Sequence, residues 1–239
     1  ITPWNYPFAI PFHEVMQALL SGNTVALKVA TQVQPVGELL VEILHEAGLR
    51  EGALSLMHVP GSTAAELFLA GGVDKLFFTG STSVGRSLME QAAQSLTPVS
   101  LELGGNDAMI VLEDAHVPRA AAGAIWAGIS NAGQSCGAVE RVYVADTVYD
   151  RFVAELRRLL RELEVGDPSR PNADLGSLST PDQRQTVIEH VEDARRRGGR
   201  VLQAGRFSAG DGRSGRDSPD GAGTGHGGLY YPPTLIEGA

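Results

Sequence analysis

Lys75-Leu-Phe-Phe-Thr-Gly80-Ser-Thr-Ser-Val-Gly85 is the stretch that decides the fold. Lys75 to Thr79 is a short, β-rich apolar run, whereas Ser81 to Ser95 suits a helix, and only Gly80 separates them. A strand passing directly into a helix is half of a βαβ unit, and such units build parallel sheets with helices on their faces. Gly80 and Gly85 bracket the helix start, where backbone amides can meet an anion and glycine permits close approach. Taken alone, the G-x-x-x-x-G spacing is equally that of a plain strand-to-helix turn. It lacks the Lys-Ser/Thr ending of a P-loop and the spacing of a dinucleotide fingerprint.

The same alternation continues on both sides. Phe12, Val15, Met16, Leu19 and Leu20 fall on one helical face that Gly22 can stop, and Thr24 to Lys28 reads as a strand. Pro35 can open a helix with the stripe Val36, Leu39, Leu40, Ile43, Leu44 and Ala47. Strands are expected over 54–59 and 99–103, and a helix over 63–70. From Met109 the pattern restarts: strand 109–112, helix 119–130, strand 141–144, helices 147–163 and 181–197, and strands 200–203 and 230–236. Residues 205–228 are mostly Gly, Ser, Asp and Arg, the composition of a loop.

Ligands of such sheets bind at the carboxyl ends of the strands. Lys28, Gly80 and Glu102 all fall at or near those ends. Lys28 closes an apolar strand, so either an anionic or polyol ligand meets it or its stem carries the charge out to water. Glu102 stands between Leu101 and Leu103, just before Gly104-Gly105. Burial there would raise its proton affinity, as a general base requires; the competing reading is a carboxylate held by the amides of the glycine turn. Asn5, stiffened by Pro3 and Pro7, is either an oxyanion donor or an ordinary turn residue.

Cys136 is the only cysteine, so it forms no disulfide within the chain and is either packing or chemistry. It also fits a reducing compartment such as the cytoplasm. Gly133-Gln-Ser-Cys-Gly137 satisfies the G-x-S-x-G pattern of a serine hydrolase elbow. An elbow follows a strand, however, and the segment before this one reads as a helix; only His190 and His226 lie downstream as triad bases. The histidines have no metal-ligand spacing, so no metal site is expected. The net charge of −9 argues against a nucleic-acid partner. No run approaches the roughly 18 apolar residues of a membrane span.

Four motifs in order, Pro3-Trp4-Asn5-Tyr6-Pro7, Phe77-Phe-Thr-Gly-Ser-Thr-Ser-Val-Gly85, Leu101-Glu-Leu-Gly-Gly105 and Gly133-Gln-Ser-Cys136, together resemble the aldehyde dehydrogenase superfamily. Lys28 follows Asn5 by 23 positions and Cys136 follows Glu102 by 34, in keeping with that pattern. The resemblance implies part of a parallel, Rossmann-like cofactor domain over 1–103 joined to part of an α/β catalytic domain over 104–239. It implies Cys136 as nucleophile, Glu102 as the base that activates water, and Asn5 with the Cys136 amide as oxyanion donors. Lys28 would meet the adenosine ribose, and Gly80, Ser81 and Gly85 the pyrophosphate, with Gly61, Leu103 and Trp4 as further cofactor contacts. Thr31 stands where many members carry a glutamate for the ribose hydroxyls, so the cofactor would be NAD or NADP, and the loss of that carboxylate makes NADP plausible and leans toward it. The presence of Glu102 favours hydrolysis to the acid over transfer to coenzyme A. Phe8, Trp126 and Ile129 suggest an apolar channel for a small-molecule aldehyde. The family pattern extends beyond both ends of the chain and implies a homodimer or homotetramer, so the 239 residues alone are expected to be inactive and poorly soluble. The rival readings are a serine or thiol esterase using Ser135 or Cys136, and a non-catalytic remnant.

Overall fold

A computed structural model describes residues 1–207 and 228–238. The chain divides into two compact units, Ile1–Gly105 and the residues from Asn106 on.

In the first unit α1 (Ala9–Leu20), β1 (Val25–Leu27), α2 (Gln34–Glu46), β2 (Leu54–Leu56), α3 (Gly61–Ala70), β3 (Leu76–Gly80), α4 (Thr82–Ser95) and β4 (Val99–Leu103) follow one another. Strands β1 and β2 pair in parallel, as do β3 and β4. The extended residues Ile1 and Thr2 join the two pairs. Thr2 N–H donates to Lys28 O (2.9 Å), Ile1 N to Phe77 O (2.8 Å), and Thr79 N–H to Ile1 O (3.1 Å). Ile1 therefore lies against β3 in the bonding pattern of a parallel pair. Counted along the chain, the sheet runs third, second, first, fourth, fifth. This is the order of a Rossmann-like half, with its topological switch between the Ile1–Thr2 segment and β3.

The helices cover the sheet with faces rotated from those the periodicity suggests. In α2, Gly37 and Leu40 are buried, while Leu39 and Ile43 are 51% and 42% exposed. The cause is Gly37: a Cβ there would stand 2.8 Å from a Val29 methyl, so only glycine lets the helix settle this closely. Around β3 the core is Ala64, Ala65, Phe68, Leu76, Phe78 and Leu88, and around β1 it is Val15, Leu27, Val29, Leu40 and Leu54. Each large side chain so enclosed contributes roughly 1.5–3 kcal/mol.

The second unit begins with β5 (Asp107–Val111), α5 (Val117–Ile129), β6 (Val139–Val144), α6 (Asp146–Glu162) and β7 (Glu164–Val165). It continues with α7 (Pro181–Arg196), β8 (Arg200–Gln203), β9 (Arg206–Phe207) and β10 (Thr234–Glu237). Strands β5 and β6 are parallel, β7 and β9 are parallel, and β8 and β10 are antiparallel. Helices α5 and α6 pack through Val117, Ala121, Ala124, Val148, Phe152 and Leu156, together with Val111 of β5. His116 Nδ1 accepts from Arg119 N–H (3.3 Å) and caps α5; Thr180 Oγ1 accepts from Gln183 N–H (3.1 Å) and caps α7. Glu237 is buried, and the guanidinium groups of Arg157 and Arg200 both donate to its carboxylate.

Two expectations change here. The last strand starts at Thr234 rather than Tyr230, because Pro232 and Pro233 have no N–H to donate to a ladder. The loop expected over 205–228 gives up Arg206 and Phe207 to β9, where Arg206 N–H donates to Leu163 O (2.7 Å). The remainder of that loop, residues 208–227 with His226 among them, lies outside the described residues.

Candidate functional site

Every expected cofactor residue belongs to the first unit, and all but Gly85, which lies within α4, fall at or just past the carboxyl end of a parallel strand or of the central segment. Trp4 and Asn5 follow Ile1–Thr2, both half-buried. Lys28 follows β1, Gly61 opens α3 after β2, Gly80 and Ser81 close β3, and Leu103 closes β4. Thr31 is exposed and starts a short 3₁₀ turn ahead of α2.

Lys28 is only 6% exposed, which rules out a stem that carries its charge to open water. Its ammonium reaches 3.6 Å from where a Gly61 Cβ would sit, and it has no ion pair among the described residues. Burial pushes its pKa below the usual lysine range. A desolvated cation at a strand end, beside a glycine that leaves room, suits a polyol or an anion.

Ser81 Oγ accepts from Val84 N–H (3.4 Å) and caps α4, whose other first-turn amides have no intrahelical acceptor. Gly85 has a different physical role from the one its spacing suggested. It is buried, and a Cβ there would stand 2.7 Å from Leu103 Cδ2, so it is glycine because α4 lies directly on β4. Gly80 likewise faces the Phe78 ring, 2.5 Å from where its Cβ would be.

Glu102 is exposed, which corrects the expectation that its leucine neighbours bury it. The reason is strand alternation: Leu101 and Leu103 turn inward on one face of β4 and Glu102 takes the other. Its register partner on β3 is Thr79, whose hydroxyl donates to Glu14 Oε1 (3.0 Å). Glu14 is the residue in this neighbourhood that sequence reasoning missed. Burial pushes its carboxyl above the usual range, and Glu102 adds a smaller push in the same direction. Nothing in the sequence marked it, since Glu14 lies off the α1 stripe of Phe12, Val15, Met16, Leu19 and Leu20.

A cavity of about 580 Å³ in this unit lies toward the amino ends of β1 and β3, lined by Val25, Ala26, Leu76 and Phe77 among others. Ile1, Glu14 and Leu27 also line it, so it reaches the carboxyl that the Thr79 hydroxyl meets. Phe8, expected to line an apolar channel, stacks on Phe12 with ring centroids 5.6 Å apart.

Cys136 belongs to the second unit. After α5, residues Asn131, Ala132 and Gly133 all take the left-handed conformation, with φ of 54°, 57° and 76°. Asn and Gly tolerate this, but Ala132 loses roughly 1–2 kcal/mol by it. Gly133 is required besides, since its Cβ would stand 3.2 Å from Gly128 O. Ser135 to Ala138 then forms a turn, closed by Ala138 N–H donating to Ser135 O (3.3 Å), with Cys136 at its corner. The thiol is exposed. The Cys136 amide makes no hydrogen bond among the described residues. A thiol and a free N–H thus project from one residue, the arrangement that a nucleophile with its own oxyanion donor needs.

This geometry disfavours a serine nucleophile elbow, because the segment joins a helix to a strand rather than a strand to a helix. The Ser135 hydroxyl accepts from Gly137 N–H (3.4 Å). Trp126, 75% exposed, and the half-buried Ile129 line a groove of about 240 Å³ with Ile125, Leu159 and Leu163. No cluster of metal-ligating side chains occurs among the described residues, and no described helix is long and apolar enough to cross a membrane.

Comparison with known proteins agrees with the parallel sheet and with the four motifs. The glutarate-semialdehyde dehydrogenase of Pseudomonas putida is 40% identical over 212 residues, covering 88% of this chain and 44% of that protein. The NADP(+) succinate-semialdehyde dehydrogenase GabD of Escherichia coli is 41% identical over 239 residues, covering 99% of this chain and 46% of that one. Among solved structures, the succinate-semialdehyde dehydrogenase of Burkholderia pseudomallei superposes with a TM-score of 0.88 at 32% identity, over 100% of this chain and 46% of that one. The chain therefore spans about half the length of the relatives it matches. The model of the aldehyde dehydrogenase family matches residues 1–218, and with these likenesses it establishes that the chain belongs to that family.

Proposed function

We propose that this chain serves the oxidation of a small aldehyde to its carboxylic acid, with NAD or NADP as hydride acceptor. The observation that carries the reading is the Cys136 turn, an exposed thiol whose own amide is unengaged among the described residues. The Cys136 thiolate attacks the aldehyde carbonyl and forms a thiohemiacetal. The oxyanion that develops is held by the Cys136 N–H and the Asn5 side-chain amide. A bound nicotinamide dinucleotide supplies the hydride acceptor. Loss of hydride leaves a thioacyl group on Cys136, and Glu102, open to solvent, takes a proton from the water that hydrolyses it. The sulfur suits both steps, as a strong nucleophile and a good leaving group.

The residues present fit such a cofactor. Lys28, a buried cation with no ion pair among the described residues, would hold ribose hydroxyls or phosphate beside Gly61. The α4 amino terminus at Gly80 and Ser81 would take the pyrophosphate, with Gly85 and Leu103 setting how close α4 lies and Trp4 nearby. Thr31 offers no carboxylate to repel a 2′-phosphate, so NADP is the preferred dinucleotide; the name of the Escherichia coli relative points the same way. Residues 1–103 would form the cofactor part and residues 104–239 the thiol part of a homo-oligomeric, cytoplasmic enzyme.

The test is an aldehyde panel with NAD and NADP, monitored by reduced-nicotinamide absorbance, in the 239-residue chain and in any longer polypeptide that carries it. Reduction is expected from the longer polypeptide and not from the chain by itself. If a folded polypeptide of the relatives' length reduces neither dinucleotide, the reading fails. Faster turnover with NAD than with NADP sinks the preference alone, and Thr31→Glu should move the ratio toward NAD.

A further inference from the structure

The side-chain amide of Gln134 spans the Cys136 turn. Its Nε2 donates to Asn131 O (2.9 Å), and its backbone N–H donates to the same carbonyl (3.1 Å). Its Oε1 accepts from Ser179 N–H (2.8 Å), across 45 positions of sequence. Ser179 is itself a firm anchor. It stands between Leu178, which is 3% exposed and donates through its N–H to Leu229 O (2.9 Å), and Thr180, the cap of α7. Asn131 Nδ2 returns a bond to Gln134 O (3.3 Å), and Ser135 N–H donates to Gly133 O (2.9 Å). The left-handed run 131–133 is therefore stitched to Gln134 from one side and the start of α7 holds Gln134 from the other. Two residues further on, the Cys136 thiol and amide project from what is otherwise a short surface turn.

We propose that Gln134 is a positioning residue: through Ser179 it ties the Cys136 turn to the amino end of α7 and so fixes where the thiol and its amide point. The reason for a glutamine is chemical. The position needs an acceptor for the Ser179 N–H and a donor for the Asn131 carbonyl on one short side chain, and a carboxylate or an ammonium supplies only one of the two. This rests on the reading of Cys136 as nucleophile, but its test does not need turnover. Cys136 is the only cysteine, so its alkylation reports on this turn and on nothing else.

The experiment measures the rate of iodoacetamide alkylation of the 239-residue chain from mildly acid to alkaline pH, with circular dichroism to establish that each variant is folded. The variants are Gln134→Ala, Ser179→Pro, which removes the donating N–H without touching the turn, and the double variant. The parent rate should differ from that of the urea-unfolded chain. Each single variant should move it toward the unfolded value by about tenfold, as loss of positioning at a reactive group does. The double variant should add nothing to Gln134→Ala, because that substitution already removes the bond that Ser179→Pro cuts. A parent indistinguishable from the unfolded chain, a Gln134→Ala rate within twofold of the parent, or effects that add would each overturn the proposal. Aldehyde-dependent dinucleotide reduction, measured separately, decides the catalytic reading; normal alkylation coupling without turnover would sink only that.

Discussion

The strand-end cradle of the first unit and the cysteine turn of the second are held by opposite means. Around Lys28, Gly61 and Ser81 the backbone is regular: parallel strands, a capped helix, and glycines that exist because a helix or ring lies against them. Its costly elements are side chains, the desolvated ammonium of Lys28 and the desolvated carboxyl of Glu14. Around Cys136 the side chains are at ease and the backbone is the costly element, with Ala132 in a left-handed conformation that its Cβ disfavours. Were these the cofactor cradle and the nucleophile's loop proposed above, the first would store its unfavourable energy where a ligand can relieve it, and the second where relief would let the reacting atom drift.

The contrast is most sharply tested at the thiol. In a polypeptide that turns over aldehyde, Cys136→Ser should reduce dinucleotide reduction on the order of a thousandfold or more, with dinucleotide binding unchanged by titration calorimetry. Residual turnover near the parent level would remove Cys136 from the chemistry.

The next largest effect is expected at Lys28. Lys28→Met should weaken dinucleotide binding by roughly tenfold to a hundredfold, by the loss of a charge-assisted contact. It should also raise the urea midpoint of the ligand-free chain, since an unpaired buried charge is removed. The pH dependence has a definite sign. The folded pKa of Lys28 is depressed, so between it and the unfolded value of about 10.4 the unfolded chain binds more protons, and stability rises with pH across that window. Lys28→Met should flatten that rise; an identical slope in both chains would show that Lys28 is not strained by burial.

A smaller effect separates packing from phosphate approach at Gly85. Gly85→Ala drives a methyl to 2.7 Å from Leu103 Cδ2 and should cost about 1–3 kcal/mol in urea unfolding. Leu103→Ala should recover part of that in the double variant. Failure to recover it would return Gly85 to a role other than packing.

The smallest expected change is at the cysteine turn itself. Ala132→Gly removes the left-handed penalty and adds freedom to the unfolded chain, so a net gain of about 0.5 kcal/mol is expected. A loss instead would mean that the turn is held without strain.

The parallel architecture was legible because its signals are local. A β-rich run, a glycine and a helical stripe recur with short connections, and β4 and β8 fall within the expected bounds. Helix rotation was not legible: which face of α2 is inward depends on Gly37 meeting Val29, and a glycine shows nothing in an apolar stripe. Glu102 was misjudged because its flanking leucines were taken as surroundings, although in a strand they belong to the opposite face. The run Asn131-Ala-Gly133 did carry a trace of its conformation, two residue types that tolerate positive φ around one that does not. The bond from Ser179 to Gln134 left no trace, as nothing in the intervening sequence marks two distant residues as partners.

The Ile1–Thr2 segment has a kinetic meaning. It is the innermost member of its sheet, yet long stretches of sequence separate it from its partners at Lys28, Phe77 and Thr79. Enclosing it is a non-local event, of the kind that slows folding and leaves strand edges open in the meantime. Until it is enclosed, the flanks of β1 and β3 are thus the edges of this unit most open to mispairing.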